Sequence, residues 1–460
     1  MQAARDCLGP GSAVAAALPG FAPRPQQLEM AAAVEGAIAE GRHLVVEAGT
    51  GVGKSFAYLV PALLHLAGGG EGPIVVATRT IALQEQLVER DVPFLLETLG
   101  LDKLKVALAK GRGNYVCLRR LEMACTEGVD LFGDPARLRE LEELRAWAHA
   151  SRDGSLSTAP FRPRDDLWDH VRAEAGNCLG RRCRFFKPCA YQQSRRLMHG
   201  ADLVVANHAL VFADLALREA GVSVLPEYSC LILDEAHELE EGAASNFGAS
   251  VSEIGIARQL GRFMGSKRRT GLFGRVEVGI ELYEQLERVR KLAKSFFVQL
   301  DSLRGDAKER RLRGEVGFQD SLSQPIDRLV GMLKKEHDVI SDEEVAMEWK
   351  ARTDRLSETR DALRLIAGQL DNDLVYWVER SGRRGRSVLR AAPDDVGPLL
   401  RRSLFGRTRC VVMTSATMSV AGSFAHFNRR VGLDEPMELA AGSPFDFQRQ
   451  CRLLHSQLPR

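Results

Sequence analysis

Residues Glu47, Ala48, Gly49, Thr50, Gly51, Val52, Gly53, Lys54 and Ser55 stand between a short apolar run and the apolar segment Phe56 to Leu66. Glycines at 49, 51 and 53 let the backbone turn sharply and bring its N–H groups onto phosphate oxygens. A helix beginning there adds its positive N-terminal end. Lys54 suits the β- and γ-phosphates of a nucleotide and Ser55 suits its Mg²⁺. Ala48 to Ser55 is therefore the expected phosphate cradle, with Ala48 departing from the glycine of the strict pattern. Phosphoryl transfer also needs a metal-binding acid and a group that positions water. Leu231 to His237 reads Leu-Ile-Leu-Asp-Glu-Ala-His and offers both. Asp234 is expected to hold Mg²⁺ through water and Glu235 to orient or deprotonate the attacking water. His237 is placed to link nucleotide state to other loops.

Cys117, Cys178, Cys183 and Cys189 fall between these two stretches, the last three spaced Cys-x4-Cys-x5-Cys. Four thiolates hold either zinc or an iron–sulfur cube, and the spacing alone leaves that choice open. Cys125 is a spare thiol nearby. Arg181, Arg182, Arg184 and Lys187 interleave with Phe185, Phe186 and Tyr191, and no Asp or Glu occurs from Ala175 to Ala201. Basic groups among aromatics suit a single nucleic-acid strand, by phosphate pairing and base stacking. A solvated basic face accounts for the charges equally well.

These residues need a frame. His43–Glu47, Ile74–Thr78, Asp202–Ala206, Cys230–Asp234 and Cys410–Thr414 are near-continuous β-branched or apolar runs. They fit strands buried on both faces of a parallel sheet, with helices between them. The character changes between about residues 250 and 400. Trp349, Leu356, Leu363 and Leu370 fall seven apart, while Leu282, Leu286, Val289, Ala293, Phe296 and Leu300 follow a three-and-four spacing. That predicts long amphipathic helices, with Arg380 to Arg386 as an exposed basic turn. The whole reads as one sheet interrupted by insertions.

The chain has 460 residues, enough for about three domains. Lys and Arg total 63 against 61 Asp and Glu, so a nucleic-acid surface must be a local patch rather than a global charge. Nine cysteines, an odd number without a signal peptide, argue against a disulfide framework. No run reaches the ~18 apolar residues of a membrane span. A cytoplasmic location is expected.

Asp234-Glu-Ala-His237, followed later by Ser415-Ala-Thr417, resembles the motor motifs of superfamily 2 helicases. The sequence around Cys117, together with Val204-Val-Ala-Asn-His-Ala-Leu210, resembles the XPD/DinG type within it, and bacterial DinG-like members most closely. This resemblance implies a RecA-like P-loop lobe with an inserted four-cysteine [4Fe–4S] domain and an inserted helical arch, and it settles the choice of metal. It implies that Gln27, in Arg24-Pro-Gln-Gln27, reads adenine. Thr78, Arg79 and Gln84 would grip the nucleic-acid backbone, and Ser415 and Thr417 would couple hydrolysis to movement. The implied layout is motor lobe 1–108, cluster domain 109–195, lobe 196–248, arch 249–400, lobe 401–440, and the start of a linker at 441–460.

Little chain follows Thr417, whereas a second RecA-like lobe needs about 150 residues. The expectation is that this lobe, with its charge-stabilising arginines, is absent from the chain, and that the rest of the encoding frame supplies it. The implied activity is ATP-driven 5′-to-3′ movement on single-stranded or forked DNA. The alternatives are an ATPase that remodels protein–DNA complexes without unwinding, and a non-motor iron–sulfur DNA binder.

Overall fold

The computed structural model describes residues 3–132, 134–219, 221–265, 270–314, 318–382 and 385–450, with the side chains of 128–132 and 447–448 outside that description. Residues 383–384 of the expected basic turn, and 451–460 of the expected linker, lie outside the described residues. The chain forms two compact units. One comprises residues 1–110, 194–246 and 395–460, the other 111–193 and 247–394.

The first unit is built on a seven-stranded sheet. In order across it run Met437–Gly442, Leu44–Ala48, Cys410–Ser415, Cys230–Asp234, Ile74–Thr78, Leu203–Asn207 and Val106–Leu108. Every pairing is parallel. The five expected strands are all present, and the reason is physical. Helices cover both faces of a parallel sheet, so Val45, Val76, Val205, Ile232 and Val412 are all fully buried. Burying each such side chain contributes roughly 1.5–3 kcal/mol. The helices Pro25–Glu40 and Lys54–Ala67 supply Met30, Val34, Tyr58, Leu59 and Leu63 to the same core. The two strands not anticipated, Val106–Leu108 and Met437–Gly442, are the sheet's edges. Val106–Leu108 is only three residues long, and the residues of Met437–Gly442 are partly buried or exposed, so neither strand carries a long continuous apolar run.

The second unit corrects an expectation. Residues 250 to 400 are not helical throughout. Ala249–Ser252, Arg386–Pro393, Leu374–Ser381 and Glu309–Leu312 form a four-stranded antiparallel sheet in that order. One face of this sheet is buried, through Tyr376, Val378, Leu389 and Ala391, while charged residues alternate onto the other. That period of two is what the helical reading passed over. The helices are long, as expected: Ile280–Arg304, Ser323–His337 and Glu343–Gly368. Trp349, Leu356 and Leu363 are fully buried, but Leu370 is 71% exposed. The helix has ended at Gly368, and Gln369 takes a left-handed φ of 45°. No described helix is long and apolar enough to cross a membrane.

Candidate functional site

The phosphate loop leaves the Leu44–Ala48 strand and enters the Lys54–Ala67 helix. Gly51 and Gly53 have φ of 82° and 86°, a region that favours glycine. A Cβ on Gly51 would come within 2.8 Å of the Phe445 ring, and one on Gly53 would collide with Gln27. Ala48 has no such constraint: it ends the strand fully buried, so its methyl group is accommodated. Gly49 N–H donates to the Gly442 carbonyl at 3.0 Å. The segment Gly442 to Phe445 thus lies along the loop.

Lys54 opens the helix, and its Nζ lies 3.6 Å from Glu235 Oε1. Asp234 ends the Cys230–Asp234 strand, one strand removed from Leu44–Ala48 across the sheet. Its Oδ2 accepts from the Tyr58 hydroxyl at 3.2 Å and its Oδ1 from the Glu235 N–H at 3.0 Å. Burial, with the Glu235 charge adding, pushes the Asp234 carboxyl up to about 6 despite Lys54. Tyr58 also hydrogen-bonds the Ser55 side chain. One buried hydroxyl therefore ties together the two expected Mg²⁺ ligands. Tyr58 was not anticipated from sequence, although it sits three residues after Ser55, on the same helix face.

Glu235 has φ 56°. A non-glycine residue in the left-handed region costs roughly 1–2 kcal/mol, strain that the surrounding contacts must hold. Its Oε2 accepts from the Ser415 hydroxyl at 3.4 Å, and Ser415 shares a 2.8 Å hydrogen bond with His237 Nδ1. His237 Nε2 in turn approaches Glu238 at 3.9 Å, and Glu238 pairs with Arg79 at 2.7 Å. A polar chain therefore runs from Lys54 through Glu235, Ser415, His237 and Glu238 to the exposed Arg79. Thr417 is exposed and donates its N–H to Ser415 Oγ at 3.4 Å. The turn after Ser415 is clamped by Glu47, which accepts from the N–H groups of Met418 and Ser419, both at 2.6 Å, and from the Ser419 hydroxyl at 2.9 Å. Burial works against the charge, but these donors win and hold the Glu47 carboxyl below its usual value. A lone acid ending a buried apolar strand was the signal for such a role.

Three expected contacts are placed differently. Thr78 is 1% exposed and bonds to the Thr80 carbonyl, and Gln84 is fully buried with its amide on the Ala109 carbonyl at 3.2 Å. Neither presents a side chain to a nucleic-acid backbone in this conformation. Arg79 is exposed, its side chain 58% accessible. Gln27 is 2% exposed and donates to the Gly53 carbonyl at 3.0 Å, so it braces the loop. Its Oε1 is buried without a partner. Arg24, in the same motif, donates to the Gly51 carbonyl.

In the second unit Cys117, Cys178, Cys183 and Cys189 are free thiols. Cys117 and Cys189 pack beside Tyr115, Ala173 and Tyr191. Burial raises the thiols of Cys117 and Cys189. Cys183 adds to the rise at Cys117, and Cys117 and Cys178 add to that at Cys189. Each of the four sulfurs therefore lies within electrostatic reach of at least one other. The Gly180 N–H reaches Cys178 Sγ at 3.4 Å. Among the described residues no three His, Cys, Asp or Glu side chains converge tightly enough to hold a single metal ion. Cys125 packs elsewhere, beside the Leu121, Leu144 and Leu167 cluster.

Arg181, Arg182, Arg184 and Lys187 are all exposed. Arg182 pairs with Glu343 at 2.5 Å and Arg184 with Glu344 at 3.1 Å. Exposed pairs of this kind are worth about 0–1 kcal/mol, so a phosphate can replace either carboxylate. Tyr191, by contrast, is not an open stacking platform. It is buried, and the Arg112 guanidinium covers its ring at 4.4 Å.

The family described as DEAD/DEAH box helicase matches residues 24–113, and DEAD_2 matches 176–256. The ATP-dependent DNA helicase YoaA of Escherichia coli is 33% identical across 97% of this chain and 68% of its own length. The ATP-dependent helicase DinG of Mycobacterium tuberculosis is 34% identical across 94% of this chain and 66% of its own. The chain thus spans about two thirds of the length of these relatives. A solved structure of S. tokodaii Xpd4 aligns over 85% of this chain and 57% of its own, with a TM-score of 0.41 and 12% identity. On the identity to YoaA and DinG over nearly its whole length, the chain belongs to the YoaA/DinG family of ATP-dependent DNA helicases.

Proposed function

We propose that this chain is the nucleotide-hydrolysing part of a helicase that moves 5′ to 3′ on single-stranded or forked DNA in the cytoplasm. The polar chain from Lys54 to Arg79 carries the reading, because it connects the phosphate loop to an exposed cation on the same unit. Residues 49 to 55 bind the phosphates, and Lys54 exchanges Glu235 for phosphate oxygen. Ser55 and Asp234, held together by Tyr58, would carry Mg²⁺, which neutralises phosphate charge. Glu235, released from Lys54, orients the attacking water. Ser415 and His237, both bonded to one another beside Glu235, register that change and pass it toward Glu238 and Arg79. Residues 1–108, 196–248 and 401–440 make the motor lobe in this reading, with 109–195 as cluster domain, 249–400 as arch and 441–460 opening a linker. Unwinding requires a second lobe whose arginines stabilise the transferring phosphoryl group.

Single-stranded DNA should stimulate ATP hydrolysis, and the stimulation should fall steeply between low and moderate salt. A phosphate-release assay across a salt series checks this. Hydrolysis indifferent to DNA would leave a nucleotide site without a motor.

Cys117, Cys178, Cys183 and Cys189 would hold a [4Fe–4S] cluster. The resemblance of the sequence around Cys117 to the XPD/DinG type supports this reading, since four thiolates by themselves suit either zinc or a cluster. The cluster's role would be to staple a loop-rich segment. Anaerobically purified protein should contain about four irons per chain. Serine at any of the four positions should abolish the iron, and Cys125→Ser should retain it. One zinc per chain would overturn the assignment.

A further inference from the structure

Glu47 stands at a junction that the proposed mechanism does not use. It precedes Ala48 at the end of the Leu44–Ala48 strand, and its register partner on the neighbouring Cys410–Ser415 strand is Ser415. Toward the other neighbour, Met437–Gly442, the register shifts between Glu47 and Ala48. Such a bulge re-aims side chains. The Glu47 carboxylate reaches past Ser415 to the turn that follows it. Oε2 accepts the N–H groups of Met418 and Ser419 at 2.6 Å each, and Oε1 accepts the Ser419 hydroxyl at 2.9 Å. The turn is therefore fixed at both ends, by strand pairing at Ser415 and by the carboxylate at Met418 and Ser419. Between them Thr417 is exposed, and its N–H points back to Ser415 Oγ at 3.4 Å.

An acid that merely ends a strand finds its donors in water. Glu47 instead commits both oxygens to three protein donors. These donors, rather than a cation, hold it ionised against burial. Hydrogen bonds to an ionised acceptor are roughly twice as strong as neutral ones. The residue next to this clamp is the one that meets the acid of the nucleotide site. Ser415 Oγ donates to Glu235 Oε2 at 3.4 Å and shares the 2.8 Å bond with His237 Nδ1. Loosening the turn frees Ser415 on one side. A misplacement of about 1 Å in a site of this kind costs on the order of 10²-fold in rate.

We propose that Glu47 is a positioning residue, which holds the turn from Ser415 to Ser419 so that Ser415 stays on Glu235 and His237. This rests on the reading of Glu235 as the group that orients water. The Glu47 carboxylate is directed to the turn and not to the phosphate loop, so its loss should spare nucleotide affinity and slow the chemical step. The test compares Mg-nucleotide affinity with single-turnover hydrolysis in the full chain. Glu47→Gln should keep the wild-type affinity and lower hydrolysis by about 10–10²-fold. Ser419→Ala should lose less, because both N–H donors remain. In a Ser415→Ala background, which already lacks the hydroxyl being positioned, Glu47→Gln should lower hydrolysis no further. A residue that only supports the fold adds its loss there, so additive losses overturn the proposal. Wild-type hydrolysis in Glu47→Gln, or an affinity loss as large as the loss of rate, overturns it too. Glu235→Gln is the control. Full turnover in that variant removes the underlying reading, whereas an inactive Glu235→Gln beside a fully active Glu47→Gln sinks the positioning role alone. Should Glu47→Gln fail to fold, Ser419→Ala, alone and with Ser415→Ala, makes the same comparison.

Discussion

Glu235→Gln should keep Mg-ATP binding and lose turnover by about 10²–10⁴-fold, the usual contribution of a positioned acid–base group. The substitution is nearly isosteric. It keeps an oxygen for the Ser415 hydroxyl, now 3.4 Å away, and removes only the charge that orients and deprotonates water. It also frees Lys54 from its 3.6 Å carboxylate partner, so nucleotide affinity should hold or rise. Lys54→Ala should behave oppositely, losing affinity as well as turnover, because the loop then lacks its cation. Fluorescent-nucleotide titration beside single-turnover phosphate release separates the two effects. A pH series adds a third readout. The Asp234 carboxyl stands at about 6, and only its ionised form binds Mg²⁺. Metal-dependent binding should therefore weaken as pH falls through about 6, above the usual carboxylate range. Wild-type turnover in Glu235→Gln would remove that residue from the mechanism.

The sequence carried the central sheet and the phosphate loop because both have local signatures. Strands buried on two faces are apolar throughout, and a loop that must approach phosphate needs glycine at Gly51 and Gly53. What it carried poorly depends on partners far along the chain. Thr78 and Gln84 occupy motif positions, yet position in a motif does not state which way a side chain faces, and both turned inward. Tyr58 and Glu47 became visible only once Asp234 and Met418 were beside them, 176 and 371 residues away along the chain. The antiparallel sheet was hidden for a related reason. Glu309–Leu312 is charged except at Leu312, and its identity as a strand comes from pairing with Leu374–Ser381. The buried ion-pair cluster of Arg120, Glu174, Glu348 and Arg352 was not legible either. Arg120, Glu348 and Arg352 lie on helices that otherwise read as solvated faces, and Glu174 lies in a loop.

That cluster supports the largest stability effect expected in the molecule. Glu348→Ala should cost about 3–5 kcal/mol, because removing one partner of a buried ion pair strands the other. Glu348 accepts from Arg352 at 2.9 and 2.6 Å and from Asn177 at 2.6 Å, and none of these donors has water to replace it. Burial alone would raise the Glu348 carboxyl. Arg120 and Arg352 overcome that and hold it well below the ordinary value. Glu174 is held at about 2 by the same two guanidinium groups, against the same burial. A carboxylate depressed in the folded state stabilises at every pH above its unfolded value near 4.5. That stability is lost as pH falls from there toward about 2. The Glu348→Ala penalty should therefore be full at pH 7 and shrink below about pH 4, as the unfolded wild-type chain takes up the proton that the folded one refuses. Urea unfolding at the two pH values measures it. Arg352→Met in the same chain should recover part of the loss by removing a stranded charge, a non-additivity that a merely local packing defect would not show. A penalty under about 1 kcal/mol at pH 7 would mean that water reaches these groups and that the network is a surface feature. Arg120 also bears electrostatically on Cys117, so under the proposed cluster assignment the iron content of Glu348→Ala should fall together with its stability.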